Sequence, residues 1–288
     1  MKSFVIFTDS ACDIKPATLK EWGIENIELS FRFEGEEKEY LSGDMDISEF
    51  YNRMKEGGVA KTAAINPDTF EKEFEKALCA GKDILYLSFS SGLSTTCNSA
   101  KIAADELLSK YPERKIVVVD TLAASAGQGI LVYLASQKLK EGADLSEIAD
   151  YIDGIKLKLC HWFTVDDLVY LKRGGRVSPA VALIGKALGI KPIMHVDNEG
   201  KLIKMGTIRG RNASIAGLCD KYTELAEKKS EGVIFISQAD CLGDAQKLAD
   251  MIEEKHGVKT QIITDVGSVI GAHSGPGTLA LFFVGTER

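Results

Sequence analysis

The chain has 288 residues, more than one compact core usually organises and enough for two domains of about 100 to 200 residues each. A hydrophobic share of 45% and a charged share of 27% exclude a disordered or fibrous chain. The net charge of -7 disfavours a nucleic-acid partner, because such binding draws on cationic neutralisation of phosphates.

The opening residues MKSFVIFTDS hold one lysine and only a short apolar run before Asp9, too little for a signal-peptide core, so export is not expected. Apolar runs rich in β-branched residues recur at 4–7, 84–87 and 116–119. Each is too short for a helix and unalternated, as in a parallel sheet covered on both faces. Stretches 67–80 and 99–110 carry apolar residues three or four apart, the helical period. The order is βαβ, which predicts an α/β domain. Segments 88–96 and 121–129 each follow a strand and precede a helix, so their hydroxyls and amides fall at the carboxyl edge of the sheet, where open α/β sheets bind ligands. The longest uncharged stretch, 121–137, is rich in Gly, Ala and Ser and falls short of the roughly 20 apolar residues that span a bilayer.

After about residue 158 the pattern changes. A helix over 164–171 runs into the flexible turn Arg173-Gly174-Gly175-Arg176, followed by an apolar helical segment ending near Gly189. Strands at 190–196 and 201–208 flank the turn Asp197-Asn198-Glu199-Gly200, a hairpin signal. Further strands are predicted at 233–237, 261–264 and 279–284, with helices at 214–229 and 243–256 between them. The fold expected is a two-domain α/β protein: an N-terminal three-layer α/β/α domain with a parallel sheet over 1–157, and a C-terminal α+β domain with a mixed sheet over 158–288. No linker, low-complexity tract or fixed-period repeat marks the boundary.

Several motifs leave alternatives open. Asp9-Ser10 ends the first strand and either caps the next turn or touches a ligand. Thr62, in an extended stretch, either caps a turn or hydrogen-bonds a ligand. The hydroxyls of 88–96 form either a capped helix start or a set of neutral donors suited to an anionic oxygen. A GxSxG elbow is absent, which disfavours a serine hydrolase. So are a P-loop and a GxGxxG fingerprint, which disfavours nucleotide binding by this chain. Six dispersed cysteines and four dispersed histidines show no CxxC or HExxH pair, so reduced thiols and no metal site are expected. His273, among glycines that admit close backbone approach, is either structural or a donor near neutral pH. Between Leu168 and Arg211 lie Lys172, Arg173, Arg176, Lys186, Lys191, Lys201, Lys204, Arg209 and Arg211 against Asp197 and Glu199. This cationic island is either a solvated surface or a partner site.

The succession Phe7-Thr8-Asp9-Ser10, Ser90-Ser91-Gly92-Leu93-Ser94, Gly127-Gln128-Gly129, Leu171-Lys172-Arg173-Gly174-Gly175-Arg176 and Gly271, His273, Gly275, Pro276, Gly277 resembles the DegV family across essentially the whole chain. That family includes the fatty-acid-binding subunits (FakB) of bacterial fatty acid kinase. The resemblance implies a long-chain fatty acid buried in the protein, its carboxylate held between the domains by Thr62, Ser91, Ser94 and His273. A separate ATP-dependent fatty acid kinase subunit would phosphorylate it to acyl phosphate. Arg173, Arg209 and Arg211 would contact that partner or the acyl phosphate. No catalytic residue, cofactor or metal is implied for this chain. A cytoplasmic lipid-binding subunit of phospholipid metabolism, making transient membrane contact for lipid exchange, is the expectation. The sequence departs from the family where members commonly read Thr-Ser-Gln-Pro against Thr62-Ala63-Ala64-Ile65, and Ser-Gly-Thr against Ser94-Thr95-Thr96. Two other readings remain: a stand-alone enzyme on a small anionic or phosphorylated substrate, and a regulatory protein whose cationic island binds a partner.

Overall fold

The structure, a computed structural model, describes residues 3–180 and 189–288. Strands β1 (Phe4–Asp9), β2 (Ile24–Ile27), β6 (Asp83–Ser88) and β7 (Ile116–Asp120) form a wholly parallel sheet in the order β2-β1-β6-β7. Every residue of β6 is buried, as a central parallel strand requires. Alternate side chains divide between two cores. Phe7, Ile84 and Tyr86 pack with α3 (Pro67–Cys79) and α4 (Thr96–Lys110), while Ile6, Leu85 and Leu87 pack with α5 (Ala126–Lys140) and α6 (Leu145–Ile155). Three layers result.

Six strands form a second, mixed sheet: β8 (Leu159–Thr164), β9 (Ile190–Val196), β10 (Leu202–Arg209), β11 (Ile234–Gln238), β12 (Ile262–Asp265) and β13 (Leu279–Val284). Their order is β10-β9-β8-β13-β11-β12, and only β11 and β12 run parallel. Helices α8 (Arg211–Leu225) and α9 (Leu242–His256) cover one face, burying Trp162, Ile236 and Leu281. The other face, with Phe163, Phe235 and Phe282, packs on α5. Helix α5 therefore lies between the two sheets. That position explains the uncharged stretch 121–137: a helix apolar on all sides is one buried on all sides.

A small antiparallel sheet, β4 (Tyr40–Leu41), β3 (Ser30–Phe33) and β5 (Ala60–Ala63), sits with α2 (Ile47–Lys55) over an aromatic cluster of Phe31, Phe33, Phe50 and Tyr51. It carries Thr62 toward α10 (Ser268–Ser274), which also packs on α7 (Val169–Arg173). Neither this sheet nor β2 was among the predicted elements.

One predicted element is corrected. The helix expected over 164–171 begins only at Val169, whose N–H is capped by the Asp167 carboxylate at 2.8 Å. Of the expected span, Thr164 closes a strand, Leu159–Thr164, that is buried at every position between β9 and β13 and paired on both edges, and 165–168 form the connection. The predicted hairpin is present. Its turn is fixed by the Asp197 side chain, which accepts from the N–H groups of Glu199 and Lys201, both at 2.9 Å. Most of the apolar helical segment expected before Gly189, with Lys186, lies on 181–188, outside the described residues. Among the described residues no helix is long and apolar enough to cross a membrane.

Candidate functional site

The loops at the carboxyl ends of β6 and β7, the inner face of the second sheet and α10 enclose a cavity of about 490 Å³. This falls in the range of roughly 300 to 1,000 Å³ typical of small-molecule sites. Its walls are mainly apolar, with Leu29, Phe89, Phe163, Val196, Leu202 and Phe282 among them.

Polar groups converge at one end. Thr62 Oγ1 lies 2.8 Å from His273 Nε2, joining β5 to α10. The turn after β6 contributes Ser91, Ser94 and Thr95. Ser94 Oγ accepts from the Thr96 N–H at 3.2 Å and lies 2.9 Å from Thr96 Oγ1, so it starts α4 while facing the cavity. Thr95, at the N-terminus of α4, makes no side-chain cap, which leaves that helix end open to an anion. Arg176 also lines the cavity, its Nε donating to the Leu93 carbonyl at 2.9 Å. Burial, with Arg176 nearby, pulls His273 down to about 4, so the imidazole is neutral near pH 7.

Glycines make this end possible. A Cβ on Gly174 would stand 2.1 Å from His273 Nδ1, so the Arg-Gly-Gly-Arg turn is shaped to receive the imidazole. At the tip of the β6–α4 turn, a Cβ on Gly92 would meet the Glu199 carbonyl at 2.5 Å. There the hairpin of the second sheet presses on the first, and Ser90 Oγ donates to the Gly200 carbonyl at 2.8 Å.

Thr62, Ser91, Ser94 and His273 all line this one cavity. Arg173 is exposed at the end of α7, stacked over the Tyr170 ring, and Arg209 is exposed at the end of β10. Arg211 is engaged otherwise, its Nε 2.8 Å from Asp244 and its Nη1 3.5 Å from Asp166. Of the cationic island, Lys191 and Lys201 are likewise paired, with Asp166 and Glu199. Asp9 takes the capping alternative, and Ser10 Oγ accepts from the Leu29 N–H at 2.9 Å. Asp9 accepts from Tyr86 Oη at 2.6 Å and from the N–H groups of Phe89 and Ala11, and neither residue reaches the cavity.

Sequence reasoning gave no role to several polar lining residues, Thr278 among them. Arg176 stood in a quoted motif without a role. Ser125, His161 and Ser237 gave no signal, since two lie inside strands and the third in a turn read only for its place at the sheet edge. Among the described residues no cluster of three or more His, Cys, Asp or Glu side chains is arranged to hold a metal ion.

The sequence and fold of the chain recur in known proteins. A DegV domain-containing protein of Clostridium perfringens is 44% identical over 289 residues, covering 100% of this chain and 99% of its own. A DegV family protein from Thermus thermophilus, described for its fatty acid binding, superposes with a TM-score of 0.88 at 27% identity, over 99% of this chain and 100% of its own. A DegV family protein from Eubacterium eligens, loaded with heptadecanoic acid, does so with a TM-score of 0.85 at 26% identity, over 97% and 99%. The profile of the uncharacterised-protein family DegV matches residues 3–286, and the chain belongs to that family.

Proposed function

We propose that this protein binds a long-chain fatty acid, with the acyl tail in the apolar cavity and the carboxylate at the Thr62–His273 end. The observation that carries the reading is the bonded pair of Thr62 and neutral His273, beside Ser94, at one end of an otherwise apolar chamber. Tail burial contributes about 0.8 kcal/mol per methylene, so some fourteen methylenes supply roughly 11 kcal/mol before the costs of association. A buried carboxylate must be hydrogen-bonded or neutralised. Hydroxyl donors, the open end of α4 and Arg176 meet that need while leaving an oxygen accessible at the mouth. The fatty acids described for the two structural relatives support the ligand class.

In this reading the chain is a cytoplasmic subunit with no catalytic residues of its own. It presents the carboxylate to an ATP-dependent kinase partner, which makes the acyl phosphate for phospholipid metabolism, and it touches membranes only to exchange lipid. The N-terminal unit, 1–157, and the C-terminal unit, 158–288, hold the ligand between them. Exposed Arg173 and Arg209 are assigned to the partner encounter. Arg211 is committed to two carboxylates and joins that surface only at their expense.

Native mass spectrometry of the purified protein tests the ligand. A co-purifying long-chain acid is expected, and an empty protein that turns over a substrate unaided would overturn the reading. Phosphoryl transfer in the reconstituted pair tests the residues. Ala in place of Thr62, Ser91, Ser94 or His273 should impair transfer more than lipid occupancy, because one hydrogen bond to a charged group contributes only about 1.5 to 3 kcal/mol. Unchanged transfer in all four variants removes them from the mechanism.

A further inference from the structure

The end of the cavity away from His273 is not uniformly apolar. On the inner face of the second sheet, Ser237 pairs with Ala280 and Ala280 with Phe163; the next row on that face is Phe235, Phe282 and His161. Thr278, whose hydroxyl donates to the Ser274 carbonyl, lies just before β13 and beside the His273 end. Phe282, level with His161, is four residues further along, roughly 13 Å at about 3.3 Å per residue.

His161 is 1% exposed and lines the cavity. Its Nδ1 lies 3.1 Å from the Leu159 carbonyl, which can only accept, so Nδ1 carries the proton and Nε2 presents a bare lone pair. Nε2 has no hydrogen-bond partner. The ring is admitted by Gly127, where a Cβ would stand 2.5 Å from Nε2; this accounts for a motif glycine that the head-group site leaves unexplained. Ser237 is fully buried and also lines the cavity. Its Oγ lies 2.9 Å from Ser125 Oγ, and Ser125 donates its proton to the Asp13 carboxylate. Ser237 must then donate to Ser125, which leaves a Ser237 lone pair as its remaining capacity. An alkyl tail offers neither group a hydrogen, and a buried polar atom without a partner is costly.

We propose that His161 Nε2 is a second, acceptor-only subsite that receives a hydroxyl borne on the acyl chain, so that hydroxy fatty acids are preferred ligands; Ser237 Oγ, two strands away and one row nearer the head group, is a separate acceptor on the same wall. The inference rests on the fatty-acid reading above and deepens it. An acceptor recognises an O–H donor and has nothing to give a carbonyl, so the subsite distinguishes a hydroxy acid from the matching oxo acid.

Delipidated protein, held at pH 8.5 to keep Asp13 ionised, is offered equimolar pairs of octadecanoic acid and a monohydroxy-octadecanoic acid. The position of the hydroxyl is varied along the chain, and bound ratios are read by native mass spectrometry. One hydroxyl position should be favoured over the plain acid about tenfold, the effect of one hydrogen bond to a group otherwise left unsatisfied. The oxo acid at that position should show no preference. His161→Leu should bring the ratio at that position toward one or below it, and a preference that survives His161→Leu but is lost in the milder Ser237→Ala overturns the assignment to His161. A ratio within one preparation moves this way only if the recognising group is lost, not through a general loss of folded protein. No preference at any position, with the plain acid bound, overturns the subsite and leaves the fatty-acid reading intact. Failure to bind either acid overturns the fatty-acid reading itself.

Discussion

Asp13 and the buried histidines set opposing dependences on pH. Burial, outweighing hydrogen bonds from Ser125 and Gly267, pushes the Asp13 carboxyl from 3.8 up to about 7. Burial pulls His195 and His273 from 6.5 down to about 4, and His161 well below its usual value. A carboxyl that holds its proton more tightly when folded stabilises at low pH and loses that contribution as pH rises toward 7. A histidine kept neutral when folded stabilises above 6.5 and loses that contribution as pH falls toward 4. Burial raises the Asp9 carboxyl as well, so on acidification the two carboxyls add stability while the three histidines remove it, and deleting one carboxyl tips the balance toward the histidines. On acidification from pH 6.5 to 4 the Tm of Asp13→Asn should therefore fall relative to that of the parent, and an unchanged or rising difference in thermal scans would count against this account. The arginines separate by the same attention to partners. Arg211→Ala leaves Asp244 without its guanidinium and should lose on the order of 1 kcal/mol in urea titration. Arg173→Ala should stay within about 0.5 kcal/mol. At this scale the hydroxyl-rich turn and the glycine-flanked His273 were legible, because strand ends and glycine loops announce themselves locally. Which arginine of Arg173-Gly174-Gly175-Arg176 faces the cavity was not, since both sit beside glycine and only packing against Leu93 distinguishes Arg176.

Among the elements, the parallel strands could be read because a strand buried on both faces is a bare apolar run, as in 84–87. The strand Leu159–Thr164 could not, for its mixture of Cys, His, Trp and Thr is apolar only in context: His161 lies edge-on to Phe282 and His195 stacks on Trp162 at 4.3 Å. The small sheet around Thr62 escaped for a related reason. Its strands are two to four residues long, and an aromatic cluster assembled from α2 and β3 holds them. Helix α5 bears the largest structural demand, since Ile130, Leu131, Val132 and Ala135 are all fully buried. Leu131→Ala should lower stability by about 2 to 5 kcal/mol in urea titration. Gly174→Ala makes a different demand. Its methyl meets a ring that cannot yield without giving up Thr62, so a loss of about 1 to 3 kcal/mol should accompany impaired phosphoryl transfer. Impaired stability with normal transfer would separate Gly174 from the site.

Across the whole molecule the two large sheets share one core, in which Ile6, Leu85 and Leu87 of the first meet Phe235, Ala280 and Phe282 of the second through α5. Polar ties reinforce the junction. The Asp13 carbonyl accepts from Thr264 Oγ1 at 2.8 Å, Asp13 Oδ1 accepts from the Gly267 N–H at 2.9 Å, and Tyr51 Oη donates to the Val266 carbonyl at 2.6 Å. Units joined by a continuous apolar core cannot open separately without exposing it to water, so the chain should unfold in one cooperative transition. The two tryptophans allow a direct test. Trp22 packs at the junction, its ring 5.2 Å from Tyr133 and 6.5 Å from Phe235, while Trp162 lies on the far face of the second sheet. In Trp162→Phe and Trp22→Phe variants, the remaining fluorescence and far-UV circular dichroism should report the same urea midpoint within each protein. On the proposed reading the ligand sits where the units meet and binds only when both are folded, so a fatty acid at a hundred times its Kd should add about 2.7 kcal/mol and move all probes together. If lipid shifts the Trp22 transition and leaves that of Trp162 behind, the units are independent and the shared core does not couple them.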